Sequence, residues 1–198
     1  MFKNPVLLIV VFSSVAALAG DRSPFQPAEG QPICLKRVYT AAHLAQHPGQ
    51  NLQEIHVLLN RKIHKYTDEN GEISTSDWTI AEVSGRSPQR GDTLFTNQFG
   101  CEFNRKDGSA KCLIECDGGS FVLKPLKVAR EAQLRVSKGY YWALFKEGFD
   151  EEKDSLDAPE NTLQFQSADR ENEIYRLEVV PASECNWERP AKRISAGC

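Results

Sequence analysis

From residue 33 onward apolar and polar side chains mostly alternate, the period-two pattern of strands with one buried face. Ile55, Val57 and Leu59 interleave with His56, Leu58 and Asn60, and Ala132, Leu134 and Val136 with Gln133, Arg135 and Ser137. Leu163 and Phe165, then Tyr175, Leu177 and Val179, repeat the pattern late in the chain. Turn chemistry punctuates it. Asp68-Glu-Asn-Gly71 predicts a hairpin between strands at 63–67 and 72–76, and Lys106-Asp-Gly-Ser109 another between 101–105 and 110–116. Asp117-Gly-Gly119 turns the chain into a strand at 121–124. Separate strands are predicted at 33–39, 78–83 and 93–99. Residues 140–145 are apolar on both faces, which predicts a central strand covered from two sides. Residues 149–161, acidic and polar, predict a surface loop.

One stretch breaks the alternation. Residues 40–47 read as a short helix with Thr40 as its N-cap, ended by His47-Pro48-Gly49. About ten short strands with one short helix near residues 40–47 predict an all-β fold, an antiparallel sandwich or barrel. A single helix is too few for a parallel sheet with helical crossovers. The pattern does not choose between sandwich and barrel.

The first 32 residues have a different character. Residues 1–19 have one cation (Lys3), an apolar run, and Ala17 and Ala19 placed as a small-x-small cleavage site: a signal peptide. Residues 20–32, with three prolines and two glycines, predict a flexible lead-in. Residues 33–198 then form a single disulfide-stapled β domain, with no Pro/Gly/Ser linker and no internal repeat to divide it. No later apolar run is long enough to span a membrane as a helix.

Composition narrows the partners. The 198 residues have 24 Lys+Arg against 27 Asp+Glu, a formal net charge of -3 with both signs mixed along the chain, which excludes a nucleic-acid binder of the basic-patch kind. Six cysteines in an exported chain predict disulfides: Cys34, Cys101, Cys112, Cys116, Cys185 and Cys198. Cys112 and Cys116 lie about 13 Å apart on an extended strand, beyond the roughly 7 Å that a bridge tolerates, so they take different partners. The 106–109 turn sets Cys101 beside Cys112. Cys185 and Cys198 bracket a tail that a local bridge would hold, which leaves Cys34 for Cys116. A register slip would instead pair Cys101 with Cys116 and Cys34 with Cys112. The absence of any N-x-S/T sequon favours bacterial export.

Candidate chemistry is sparse. His43, His47, His56 and His64 are the only histidines, and His43 and His47 stand i, i+4 on the predicted helix. That spacing suits chelation of zinc or copper, with His56 or Glu54 as a third ligand. The H-E-x-x-H form is missing because Leu44 follows His43. The acidic run 150–157 lacks the glycine and glutamate spacing of a calcium loop. No nucleophile elbow, phosphate loop or dinucleotide fingerprint occurs. Tyr140, Tyr141, Trp142, Phe145 and Phe149 form the densest aromatic run; a core strand is its expected place, and a ligand pocket or partner-facing patch the alternative.

Two segments, YTAAHLAQHPGQ at 39–50 and CLIECDGGSF at 112–121, resemble uncharacterised exported bacterial proteins. The resemblance implies export from a bacterial cell, periplasmic or secreted, and no activity. The resulting expectation is an exported, non-enzymatic binding or interaction protein without a cofactor, whose partner is a protein or small molecule. A metal-binding protein using His43 and His47, and a hydrolase with a spatially assembled site, are the alternatives.

Overall fold

The computed structural model describes residues 23–67, 70–114, 119–128, 130–137, 141–146, 158, 160–166 and 171–185. The predicted signal peptide, Cys116, Cys198 and the acidic run 150–157 lie outside the described residues. The elements are β1 (Ile33–Val38), α1 (Ala41–Gln46), β2 (Glu54–Thr67), β3 (Ile73–Arg86), β4 (Leu94–Phe103), β5 (Ala110–Leu113), β6 (Ser120–Pro125), β7 (Glu131–Val136), β8 (Tyr141–Lys146), β9 (Thr162–Gln166) and β10 (Ile174–Val180). A 3₁₀ turn, Ala182–Cys185, follows. The fold is all-β, and the helix sits where the sequence placed it: Thr40 caps it, its Oγ1 accepting from the His43 N–H at 3.2 Å.

Strands adjacent in sequence pair antiparallel from β1 to β7, and β10 then lies between β7 and β1. The ring β1-β2-β3-β4-β5-β6-β7-β10 closes on itself, so the architecture is an eight-strand up-and-down barrel rather than a sandwich. Closure removes the open edges that an eight-strand sheet would otherwise present. Alternation fills the interior. Leu35, Val57, Leu59, Val83, Phe95, Phe99, Phe121, Leu134 and Leu177 are buried in one core cluster, with Phe99 edge-on to Phe121 at 4.9 Å between centroids. Eight strands enclose about the width that inward side chains can occupy by themselves.

Several expectations need correction. Residues 73–76 and 78–83 belong to one continuous strand, β3, and 93–99 and 101–103 to another, β4. The run 140–145 is not a central strand. As β8 it forms a hairpin with β9 outside the ring, attached to β4 through Phe95↔Lys146 and Thr96↔Phe145. The expected cover on two sides is there, since Ala143 (5% exposed) and Leu144 (fully buried) point to opposite faces, but on a strand packed against the barrel rather than within the ring. The lead-in is also not loose where it is described. Ser23 donates through its hydroxyl to the Gly108 carbonyl, and Phe25, only 3% exposed, joins the core. Gly108 permits this approach: its φ is +70°, and a Cβ there would stand 3.0 Å from Pro24. Phe25 thus plugs the barrel end that carries the β4–β5 turn.

The disulfides correct the predicted pairing of the tail. Cys101 is bonded to Cys112, its directly opposite neighbour in the β4–β5 ladder. Cys185 is bonded to Cys34, not Cys198, and Cys34 therefore to neither Cys116 nor Cys112. The reason is the closing seam. β10 pairs with β1 so that Val180 faces Cys34, and the 3₁₀ turn brings Cys185 back over the same strand. A long-range pairing of first and last strands leaves no local trace in the sequence.

Candidate functional site

His43 and His47 stack at the barrel end opposite Phe25, with ring centroids 4.4 Å apart. Tyr39 stacks on the other side of His43 at 4.8 Å. Gln50 is buried, and its Oε1 lies 3.0 Å from His43 Nε2. The helix thus brings the two imidazoles together, as the i, i+4 spacing requires. Among the described residues no group of three or more His, Cys, Asp or Glu side chains is placed to hold a metal ion. His56 and Glu54, the proposed third ligands, are paired with each other on the outer face of the barrel. Burial pushes the Tyr39 hydroxyl up to about 12; the Arg37 guanidinium, 5.5 Å over the ring, and a backbone hydrogen bond with Arg176 pull the other way.

The outer face of β1, β2 and β3 carries a charge cluster that spacing alone did not reveal. His56 Nε2 lies 2.8 Å from Glu54 Oε1, Arg86 NH1 3.3 Å from Glu54 Oε2, and Lys36 Nζ 3.9 Å from Glu54 Oε1 and 3.5 Å from Glu184 Oε2. Register explains it, since His56 faces Lys36 on one side and Ser84 on the other, while Glu54 faces Arg86. Ser84, His56 and Glu54 are a hydrolase-like trio by type. However, His56 is 3% exposed, and the Ser84 hydroxyl lies 3.4 Å from that of Thr96. The His56 ring is thus closed to solvent, while the Lys36, Glu54 and Arg86 side chains around it stay partly exposed. Burial holds the His56 pKa below the ordinary imidazole range, against the opposing pull of Glu54.

The β2–β3 hairpin is the feature with the strongest outward aspect. β1 accompanies β2 only as far as Leu59, and β4 accompanies β3 only as far as Thr79. The β2–β3 ladder nevertheless runs on through six more pairs, from Lys62↔Trp78 to Thr67↔Ile73. These pairs form an arm about 20 Å long that projects beyond the ring. Two strands alone are marginal in water, and this arm is pinned diagonally by Arg61, whose Nε and NH2 meet Asp77 Oδ1 and Oδ2 at 2.8 and 2.5 Å. Trp78 is 53% exposed and Ile73 75% exposed. Residues 60–67 carry Arg61, Lys62 and Lys65 and no acidic side chain, in a chain of net charge -3. The sequence did hold a signal for the arm: polar side chains occupy both faces of 60–67 and 73–77, so neither face can line a core.

No protein-family model, no curated protein and no solved structure matches the chain.

Proposed function

We propose that the chain is an exported, non-enzymatic interaction protein of a bacterial cell, in which the barrel is the scaffold and the β2–β3 arm the contact element. The observation that carries this reading is the arm itself, six strand pairs standing clear of the ring with Trp78 and Ile73 exposed. The two side chains lie on opposite faces of the ribbon, so each face offers one large apolar group among polar ones to a partner that grips the arm. The barrel interior is occupied by the chain's own aromatic and aliphatic side chains, which favours a macromolecular partner over a small ligand held inside. Two disulfides among the described residues support an oxidising compartment, periplasmic or extracellular. Among the described residues no helix is long and apolar enough to cross a membrane.

Site-specific photo-crosslinking in the native host tests this. A crosslinking residue at Trp78 is expected to give a discrete adduct, and one at exposed Arg176 on the barrel wall none. Equal labelling from both positions, or none from either, overturns the reading.

A further inference from the structure

We propose that the open edge of β2 in the arm, residues 61–67, takes up an extended acidic segment of a partner protein as an added antiparallel strand. The inference rests on the arm being the contact element and names the chemistry of what it contacts.

Three observations carry it. First, the edge is vacated by a strand of this chain. β1 runs beside β2 up to Ile33↔Leu59, and the lead-in there turns back on itself through the Ala28↔Gln31 bridge, with Glu29 near enough to Arg61 to act on its charge. Beyond that point no described strand pairs with the outer edge of β2, so its N–H and C=O groups stand in line with those that β1 satisfies lower down. A peptide continuing the line of β1 would complete the same ladder, the strand-addition mode of peptide recognition.

Second, the free charge of the edge strand is cationic. Arg61 is already offset by Asp77 and by Glu29 of the lead-in, whereas Lys62 and Lys65 have no ion-pair partner among the described residues and no anion lies between residues 60 and 67. The opposite strand of the arm bears Glu72 and Asp77 and no cation from 72 to 78. Charge complementarity therefore selects an acidic segment for β2. Third, the same lysines oppose pairing of two β2 edges from two copies, since cations would meet cations; lysine on an exposed edge is the usual guard against self-association. The arm is thus closed to its own kind and open to an anionic strand.

The test uses the full mature protein and three end-blocked octapeptides: alternating Glu and Val, alternating Lys and Val, and the Glu–Val sequence N-methylated at alternate residues on its hydrogen-bonding side. Calorimetric titration is expected to show saturable binding of the acidic peptide alone. The Lys62→Glu/Lys65→Glu double variant should weaken it at least about tenfold. The gentler Lys62→Gln/Lys65→Gln pair, with circular dichroism matching the parent, guards against misfolding. Equal binding of the lysine peptide, full binding of the N-methylated one, or dimerisation of the protein through the arm would overturn the proposal. Crosslinking from Trp78 without any acidic preference would remove this proposal while leaving the arm as contact element. Silence in both experiments removes both.

Discussion

Tyr175 donates its phenolic hydroxyl to Asn172 Oδ1 at 2.8 Å, and both side chains are fully buried. The same Oδ1 accepts the Asn51 N–H at 2.7 Å, and Asn172 Nδ2 donates to the Gly49 carbonyl at 2.8 Å. One amide thus ties the entry of β10 to the loop between α1 and β2. Asn172→Ala should remove this partner from the buried Tyr175 hydroxyl and from the part-buried Asn51 N–H and Gly49 carbonyl and lower stability by about 1–3 kcal/mol, whereas Tyr175→Phe, which removes one donor, should lower it by about 1 kcal/mol. Urea unfolding of the two variants checks the ranking.

Gly85 lies where a Cβ would stand 2.6 Å from Leu52 Cδ2, 3.0 Å from the Glu54 carbonyl oxygen and 3.4 Å from Leu144 Cδ1. Gly85→Ala should overpack this corner and lower stability by about 1–3 kcal/mol. Gly100→Ala is the matched control, since the nearest atom to its Cβ is the Leu113 carbonyl oxygen at 3.8 Å. Thermal melts should separate the two variants clearly.

His56 is buried, and its pKa falls below the ordinary imidazole value. The unfolded chain therefore takes up more protons at this site as the pH drops through about 6.5, and stability falls with it. Above that value the contribution is fully present. Glu54, Lys36 and Arg86 surround the ring, and Glu54 moderates the loss. Denaturant midpoints measured from pH 8 to pH 5 should decline, and His56→Gln should flatten the decline.

At the alkaline end Tyr39 acts in the opposite sense. Its hydroxyl, pushed up to about 12 by burial, keeps its proton when the unfolded chain would release one near 10. Stability from this group is full below about 10 and is lost as the pH rises toward 12. Ultraviolet titration should show a component ionising near pH 12, and Tyr39→Phe should diminish it.

The two bridges should differ in strength. Cys34–Cys185 spans 151 residues of sequence and Cys101–Cys112 spans 11. On chain-entropy grounds the long bridge contributes about 5 kcal/mol and the short one about 3 kcal/mol. The Cys34→Ala/Cys185→Ala pair should therefore unfold at lower denaturant than Cys101→Ala/Cys112→Ala. Non-reducing peptide mapping should recover both bridges as drawn.

Strand positions, the Thr40-capped helix and the all-β class were readable because alternation and turn residues are local signals. What escaped is non-local. The pairing of Cys34 with Cys185 depends on β10 finding β1, and the exclusion of β8 from the ring depends on which strand closes it. The His43–His47 pair was visible because a helix fixes its spacing. The His56–Glu54–Arg86 cluster was not, because register across three strands assembles it. The arm could have been seen in the polar faces of 60–67, but a hairpin signal alone says nothing of how far β1 and β4 accompany it.

The seam between β1 and β10 also sets an order of events during synthesis. β1 leaves the ribosome early, and its second neighbour comes more than 130 residues later, so no nascent chain can close the ring. Contacts so far apart in sequence are slow to form even in the finished chain. Until they do, β1 offers a bare flank to any passing strand. Once an external oxidant takes two electrons from the paired thiols, and their two protons leave with them, the Cys34–Cys185 bond latches the seam, and only a chain wound through to β10 brings the two thiols together.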